Sequence, residues 1–192
     1  MRIGMIPAVA AILGLAALGW AANARADTTV IGGGFEESCS SWAKAVAAGQ
    51  APGLEAIHVC DLAIETEVLP PHQLAATHVN RGVLHMAAAE WAKAVADFNE
   101  AAAIEPGLGE AYVNRGAALI GEGRLAEGVA EIDRGLALNP EAPEKAYFNR
   151  GVGKERLHDL KGAYLDFMKA AELKPGWALP QAELARFTVV KP

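Results

Sequence analysis

The chain of 192 residues carries 17 lysines and arginines against 23 aspartates and glutamates, a formal net charge of −6 at pH 7. Nucleic acids and anionic lipid surfaces are bound through clustered positive charge. The composition therefore argues against both as the main partner.

The first 26 residues predict a signal peptide. Arg2 gives a positive start, an apolar run follows over residues 6–20, and Ala24-Arg25-Ala26 has the pattern of a cleavage site. We therefore expect residues 1–26 to be removed and the product to be periplasmic or secreted, with no stable membrane insertion after cleavage. The apolar run is too short and too weakly flanked for a membrane span, and an uncleaved anchor is the alternative.

A glycine-rich lead and a helical hairpin are predicted next along the chain. Residues 27–35 contain three consecutive glycines and no helical period, which indicates a flexible lead. Residues 36–71 predict two helices, separated by a turn that begins at Gly49 and ended by Pro70-Pro71.

The two cysteines, Cys39 and Cys60, lie one on each of these predicted helices. In an exported chain a disulfide is the first hypothesis, and two free buried thiols are the alternative. A bridge would close a loop of about 20 residues and stabilise the fold by roughly 3 kcal/mol through chain entropy. Two thiols alone are too few for a tetrahedral zinc site.

A triplet of asparagine, arginine and glycine recurs at residues 80–82, 114–116 and 149–151. It returns after 34 and then 35 residues, a period typical of stacked helical repeats. Counted from each glycine, small residues recur after 12 and 19 residues, large apolar residues after 16 and 22, and proline after 24. Small residues let two helices approach, large ones fill the space between them, and proline ends the second helix. In the order of these distances, the residues are Ala94, Gly128 and Ala163; Phe98, Ile132 and Phe167; Ala101, Gly135 and Ala170; Ile104, Leu138 and Leu173; and Pro106, Pro140 and Pro175.

This pattern resembles the tetratricopeptide repeat (TPR) family, whose unit is a 34-residue pair of helices. The resemblance covers three units, residues 75–108, 109–142 and 144–177, with Pro143 inserted between the last two. It implies an all-α fold, an α-solenoid in which antiparallel helix pairs stack into a right-handed superhelix.

Two segments flank the three units, and unit two departs from the usual residues of the repeat. The hairpin at 36–71 lies where a preceding unit would stand and is expected to be a degenerate unit, and residues 178–187 predict a C-terminal capping helix. In unit two, Gly128 and Gly135 replace the usual alanines, at about 1 kcal/mol each in helix stability. We therefore expect unit two to be the least rigid.

The sequence predicts no catalytic activity and no cofactor. No nucleophile has a convincing partner, and the short motifs of metalloproteases and hydrolases are absent. His78 and His85 are seven residues apart and would share a helix face. The other units hold tyrosine, leucine or lysine at these positions, so packing is the first interpretation and a metal pair is the alternative.

The repeated arginine predicts a ladder of ion pairs. Sixteen residues after each arginine stands an acid, so that an arginine on the first helix of a unit would face a carboxylate on the second. A partly buried arginine needs such a partner. The alternative is that the arginines line a groove and bind an anionic ligand. The pairs are Arg81 with Asp97, Arg115 with Glu131, and Arg150 with Asp166.

The resemblance places the repeated asparagines, Asn80, Asn114 and Asn149, on the concave face of the array, where some family members bind the terminal carboxylate of a peptide. Only Lys145 matches the basic residues that accompany such asparagines. Apolar residues beside them predict a largely apolar groove that receives a peptide or protein segment. These residues are Val79, Val83, Met86, Val113, Ile120, Phe148 and Val152.

The predicted function is thus an exported protein–protein interaction module without catalysis. The alternatives are an accessory envelope protein with a small-ligand or metal site, and a scaffold that self-associates. A tight curve, or the chain's own lead lying in the groove, would leave no room for a partner.

Overall fold

The computed structural model describes residues 2–5, 34–53 and 55–190. Within these residues nine α-helices pack in sequential pairs, each on the next, to give a TPR-like solenoid. This confirms the predicted all-α solenoid fold. The elements are β1 (Arg2–Met5), α1 (Phe35–Ala47), α2 (Ala56–Thr66), α3 (Pro71–Ala87), α4 (Trp91–Ile104), α5 (Gly109–Glu122), α6 (Leu125–Ala137), α7 (Pro143–Arg156), α8 (Leu160–Leu173), α9 (Ala178–Leu184) and β2 (Phe187–Val190).

Three of these pairs carry the repeated triplets. α3 and α4 form unit one, α5 and α6 unit two, and α7 and α8 unit three; α3, α5 and α7 are the first helices. Pro71 and Pro143 lie in the first turns of α3 and α7, where a missing N–H breaks no helical hydrogen bond. The turn inside each unit needs a residue with positive φ, which Ala89, Gly123 and His158 supply.

Unit two packs its helices through glycine, whereas units one and three use aromatic rings. A Cβ at Gly128 would lie 2.6 Å from the backbone oxygen of Gly116, and one at Gly135 would lie 2.8 Å from another backbone oxygen of α5. In the other units the triplet glycine faces the ring of Phe98 or Phe167. The two extra glycines of unit two therefore permit a close approach of α5 and α6, a role that their helix cost alone does not reveal.

α1 and α2 are joined by the predicted disulfide, which the structure confirms. The Sγ atoms of Cys39 and Cys60 are bonded, their Cα atoms are 4.9 Å apart, and both residues are buried. Glu67, just after α2, accepts hydrogen bonds from the backbone N–H groups of Phe35 and Glu36 at 3.1 and 3.2 Å. A distant carboxylate thus caps the start of α1.

The C-terminal capping helix is shorter than the expected 178–187. α9 ends at Leu184, and Phe187 begins β2 instead of ending the helix. The Phe187 ring centroid lies 5.6 Å from that of Tyr164 and 6.1 Å from that of Phe167. Burying this ring against α8 stabilises an extended chain at the point where the helix was expected to continue.

β2 pairs antiparallel with β1, so that Met5 stands opposite Phe187 and Arg2 opposite Val190. β1 belongs to the predicted signal peptide, and this pairing is therefore one that the uncleaved chain makes. Residue 1 and residues 6–33, which hold the rest of the predicted signal peptide and nearly all of the lead, lie outside the described residues. No helix in the described part of the chain has the length and apolar character needed to cross a membrane.

Candidate functional site

The arginine of each triplet lies between two neighbouring helix pairs. In unit one, Arg81 donates to Asp97 on α4 from Nε at 3.0 Å and from Nη2 at 2.6 Å. Its Nη1 donates at 2.8 Å to Asp61 on α2. One planar guanidinium therefore joins unit one to the hairpin before it.

Unit two repeats this arrangement. Arg115 donates from Nε to Glu131 on α6 at 3.0 Å, and from Nη1 to the side-chain oxygen of Asn99 on α4 at 2.8 Å. The second acceptor is here a neutral amide, and the link again runs from one unit to the preceding one.

Unit three has the same pair of contacts and one cation more. Arg150 donates to Asp166 on α8 at 2.9 and 2.6 Å, and to Asp133 on α6 at 2.6 Å. The amine of Lys154 lies 2.9 Å from Asp166 as well. The predicted ladder of three arginine–acid pairs is confirmed, and these arginines are occupied by protein groups.

The second acceptor of each arginine, Asp61, Asn99 or Asp133, was missed from the sequence. A signal for two of them exists, because Asn99 and Asp133 both stand 17 residues after a triplet glycine. Asp61 precedes the first triplet and belongs to the irregular hairpin, so no period marks it.

Asp97 is held ionised in a nearly buried position, with 4% of its side chain exposed. Burial alone would raise the pKa of Asp97, but hydrogen bonds from His78 and Arg81 outweigh it and hold the pKa below the ordinary 3.8. Burial alone would lower the pKa of Arg81, which its hydrogen bonds with Asp97 and Asp61 raise instead. Removing either partner of the Arg81–Asp97 pair would leave a charge in a place where it is costly.

His78 and His85 are part of the same buried group. His78 Nδ1 lies 3.2 Å from Asp97, and His85 Nδ1 lies 2.6 Å from Glu90, with its Nε2 3.8 Å from Asp97. The two rings thus complete the surroundings of one carboxylate. Among the described residues, no group of three or more histidine, cysteine, aspartate or glutamate side chains is arranged to hold a metal ion.

The asparagines of the triplets are buried, and each has at least one amide atom without a hydrogen-bond partner among the described residues. Asn80, Asn114 and Asn149 are 0%, 3% and 2% exposed. Both amide atoms of Asn80, the nitrogen of Asn114 and the oxygen of Asn149 have no hydrogen-bond partner within the described residues. The three residues occupy the same position on adjoining first helices, and we call them the asparagine row.

The apolar side chains that were expected to line an open groove are mostly core residues, so the expectation of an exposed apolar strip is wrong. The Phe148 ring centroid, for example, lies 5.5 Å from that of Phe167 and 5.1 Å from that of Trp177. Large side chains near the triplet glycine fill the space between helices, which removes them from water. Val152 is half-buried. The six with at most 3% exposure are Val79, Val83, Met86, Val113, Ile120 and Phe148.

Lys145 lies four residues before Asn149 on α7, so the two side chains share a helix face. The residue is half-buried, and the described part of the chain places no carboxylate within ion-pair distance of its amine. Burial lowers the pKa of Lys145 below the ordinary 10.5, the charge of Lys174 lowers it further, and only Glu144 opposes them.

A scan against protein-family models and a search of curated proteins found no match. Solved structures do match. The Arabidopsis OM64 TPR domain has a TM-score of 0.57 at 23% identity, over 61% of this chain and 96% of that one. The first TPR domain of the human RPAP3 protein has a TM-score of 0.57 at 23% identity, over 60% of this chain and 90% of that one. MamA has a TM-score of 0.57 at 19% identity, over 73% of this chain and 78% of that one.

These likenesses show that the described residues have the fold of a TPR domain. This fold is typically a protein–protein interaction module and is usually non-catalytic. The likeness at this level of identity is one of fold, so the ligand has to be inferred from the side chains of this chain.

Proposed function

We propose that the protein is an exported interaction module that holds an extended peptide or protein segment along its asparagine row. The observation that carries this proposal is the set of buried, unpaired amide atoms on three adjoining helices. A buried polar atom without a partner costs about 1–3 kcal/mol. A bound segment would supply the missing partners.

The chemistry of the row matches a peptide backbone. A carboxamide side chain offers one carbonyl acceptor and two N–H donors, the same groups that a peptide unit presents. Packed helices lie about 8–10 Å apart, and an extended chain advances about 3.3 Å per residue. Neighbouring asparagines would therefore meet peptide units roughly three residues apart.

Recognition in this proposal rests on polar contacts more than on the apolar groove first expected. Of the predicted site residues, Lys145 and Val152 are the two that are half-buried rather than buried. Lys145 would hold a carboxylate of the segment beside Asn149. The row is buried in this structure, so binding requires the helices around it to move apart. Residues 27–33 of the predicted lead are the intramolecular candidate for the same place.

Selection from a displayed library of random linear decapeptides tests the proposal. The wild-type chain is compared with a variant carrying Asn80→Leu, Asn114→Leu and Asn149→Leu. The control variant adds the same side chain at three exposed positions, Ala92→Leu, Ala126→Leu and Gln181→Leu.

We expect the wild type and the control to enrich the same peptides and the asparagine variant to enrich none of them. Failure of the wild type to enrich any peptide, or equal enrichment by the asparagine variant, would contradict the proposal. If the lead occupies the row, deletion of residues 27–33 will raise the yield of peptides.

Export is supported by the disulfide and by the predicted cleavage site. A disulfide persists in an oxidising compartment, and Cys39 and Cys60 are bonded to each other. Sequencing the N-terminus of the protein recovered from its native cell tests this part separately. We expect it to begin at Asp27, and a mature chain that still contains Arg2 would contradict cleavage.

A further inference from the structure

The outer faces of the second helices differ between the units. The positions 10, 14, 17 and 21 residues after each triplet glycine lie on one face of α4, α6 or α8, and all are exposed. Unit one holds Ala92, Ala96, Asn99 and Ala103 there, and unit two holds Ala126, Ala130, Asp133 and Ala137. Unit three holds Lys161, Leu165, Met168 and Glu172, which we call the α8 stripe.

The centre of the α8 stripe is apolar and open to solvent. Leu165 is 50% exposed and Met168 is 45% exposed. Single exposed apolar residues are common on protein surfaces. Here, however, two large ones stand side by side at exposed positions where the matching units have alanine or the arginine acceptors Asn99 and Asp133. Packing inside the array therefore does not account for them.

The ends of the α8 stripe carry opposite charges. Lys161 lies four residues before Leu165, and Glu172 lies four residues after Met168. Lys161 is exposed, and no carboxylate of the described residues lies within ion-pair distance of it. Glu172 receives a hydrogen bond from Lys169 at 2.8 Å and still has 68% of its side chain exposed.

We propose that the α8 stripe is the contact between two copies of this chain, with the two α8 helices antiparallel. A two-fold axis between Leu165 and Met168 would set each of them against the other residue type of the second copy. The same axis would set Lys161 of one copy against Glu172 of the other, twice. A parallel arrangement would instead bring like charges together, which is unfavourable.

The area that the α8 stripe can bury limits how tightly two copies bind each other. α8 has 14 residues and is therefore about 21 Å long. One helix face of this length buries less than the roughly 1,200–2,000 Å² of a stable interface. The dimer is accordingly a weak one that forms at high local concentration. It uses a different face from the asparagine row and does not depend on peptide binding.

Sedimentation velocity of the full chain between about 5 and 500 µM tests this proposal. We expect the average mass to rise toward that of two copies across this range. Leu165→Ala with Met168→Ala should weaken association by at least about tenfold, with an unchanged helical circular-dichroism spectrum because about half of each side chain already lies in solvent. The control Val68→Ala, at a residue that is 92% exposed, should associate like the wild type.

Charge reversal tests the antiparallel geometry. Lys161→Glu and Glu172→Lys should each weaken self-association, because each places like charges at both contacts. The chain carrying both changes should associate like the wild type. A wild type that remains monomeric at the highest concentration would overturn the proposal. So would a Leu165→Ala/Met168→Ala variant that associates normally, or a doubly reversed chain no better than the single variants.

Discussion

The arginines and the asparagines of the three triplets are neighbours on the same helices, yet they differ in their hydrogen bonding. Each arginine makes hydrogen bonds to its own unit and to the one before it, as Arg150 does with Asp166 and Asp133. The asparagine one residue earlier is buried and has at least one amide atom without a partner among the described residues. Two residues that repeat equally therefore differ in their contacts: the arginine joins neighbouring helix pairs, and the asparagine is the residue that we propose for binding a peptide segment.

The largest loss of stability is expected when the acid of the first ladder pair, Asp97, is removed. Asp97→Ala should lower the free energy of unfolding by about 3–5 kcal/mol, because Arg81 and His78 would lose their shared buried carboxylate. The exposed Glu100→Ala serves as the control and should stay within about 0.5 kcal/mol of the wild type. Urea unfolding measures both, and equal effects would contradict the ladder.

The contribution of Asp97 should also fade in acid. Its folded-state pKa is depressed below 3.8, so the stabilisation is present above that value and is lost as the pH falls through the folded-state pKa. We compare the unfolding free energies of the wild type and Asp97→Asn between pH 5 and pH 2. The difference should shrink below pH 3.8, and a difference that grows in acid would contradict this account.

A smaller loss of stability is expected when a solvent-exposed acceptor of the ladder is removed. Asp133, the second acceptor of Arg150, has 54% of its side chain exposed, whereas Asp166 has 6%. Asp133→Ala should therefore cost only about 0–1 kcal/mol, well below Asp166→Ala. If the two variants lost equal stability, the link between units would matter as much as the link within a unit.

The ladder was predictable from sequence because it is periodic. In each unit an acid follows the arginine after 16 residues, as Asp97 follows Arg81. The burial of Val79 and Phe148 was not, because a helical period tells which residues share a face and not whether that face meets water or another helix. The pairing of β1 with β2 joins opposite ends of the chain over four residues each, and no local pattern marks such a contact. The close approach at Gly128 likewise depends on the neighbouring helix and not on the helix propensity of glycine.

Two adjacent substitutions in unit one test the division of roles most directly. Asn80→Leu replaces a buried amide that has no partner within the described residues by an apolar group of similar size, and Arg81→Met removes a guanidinium with two acceptors. In urea unfolding we expect Asn80→Leu to leave stability unchanged or raise it by about 1–3 kcal/mol, and Arg81→Met to lower it by about 3–5 kcal/mol. If Asn80→Leu destabilised the protein as much as Arg81→Met, the asparagine would be a structural residue and the central claim would be wrong.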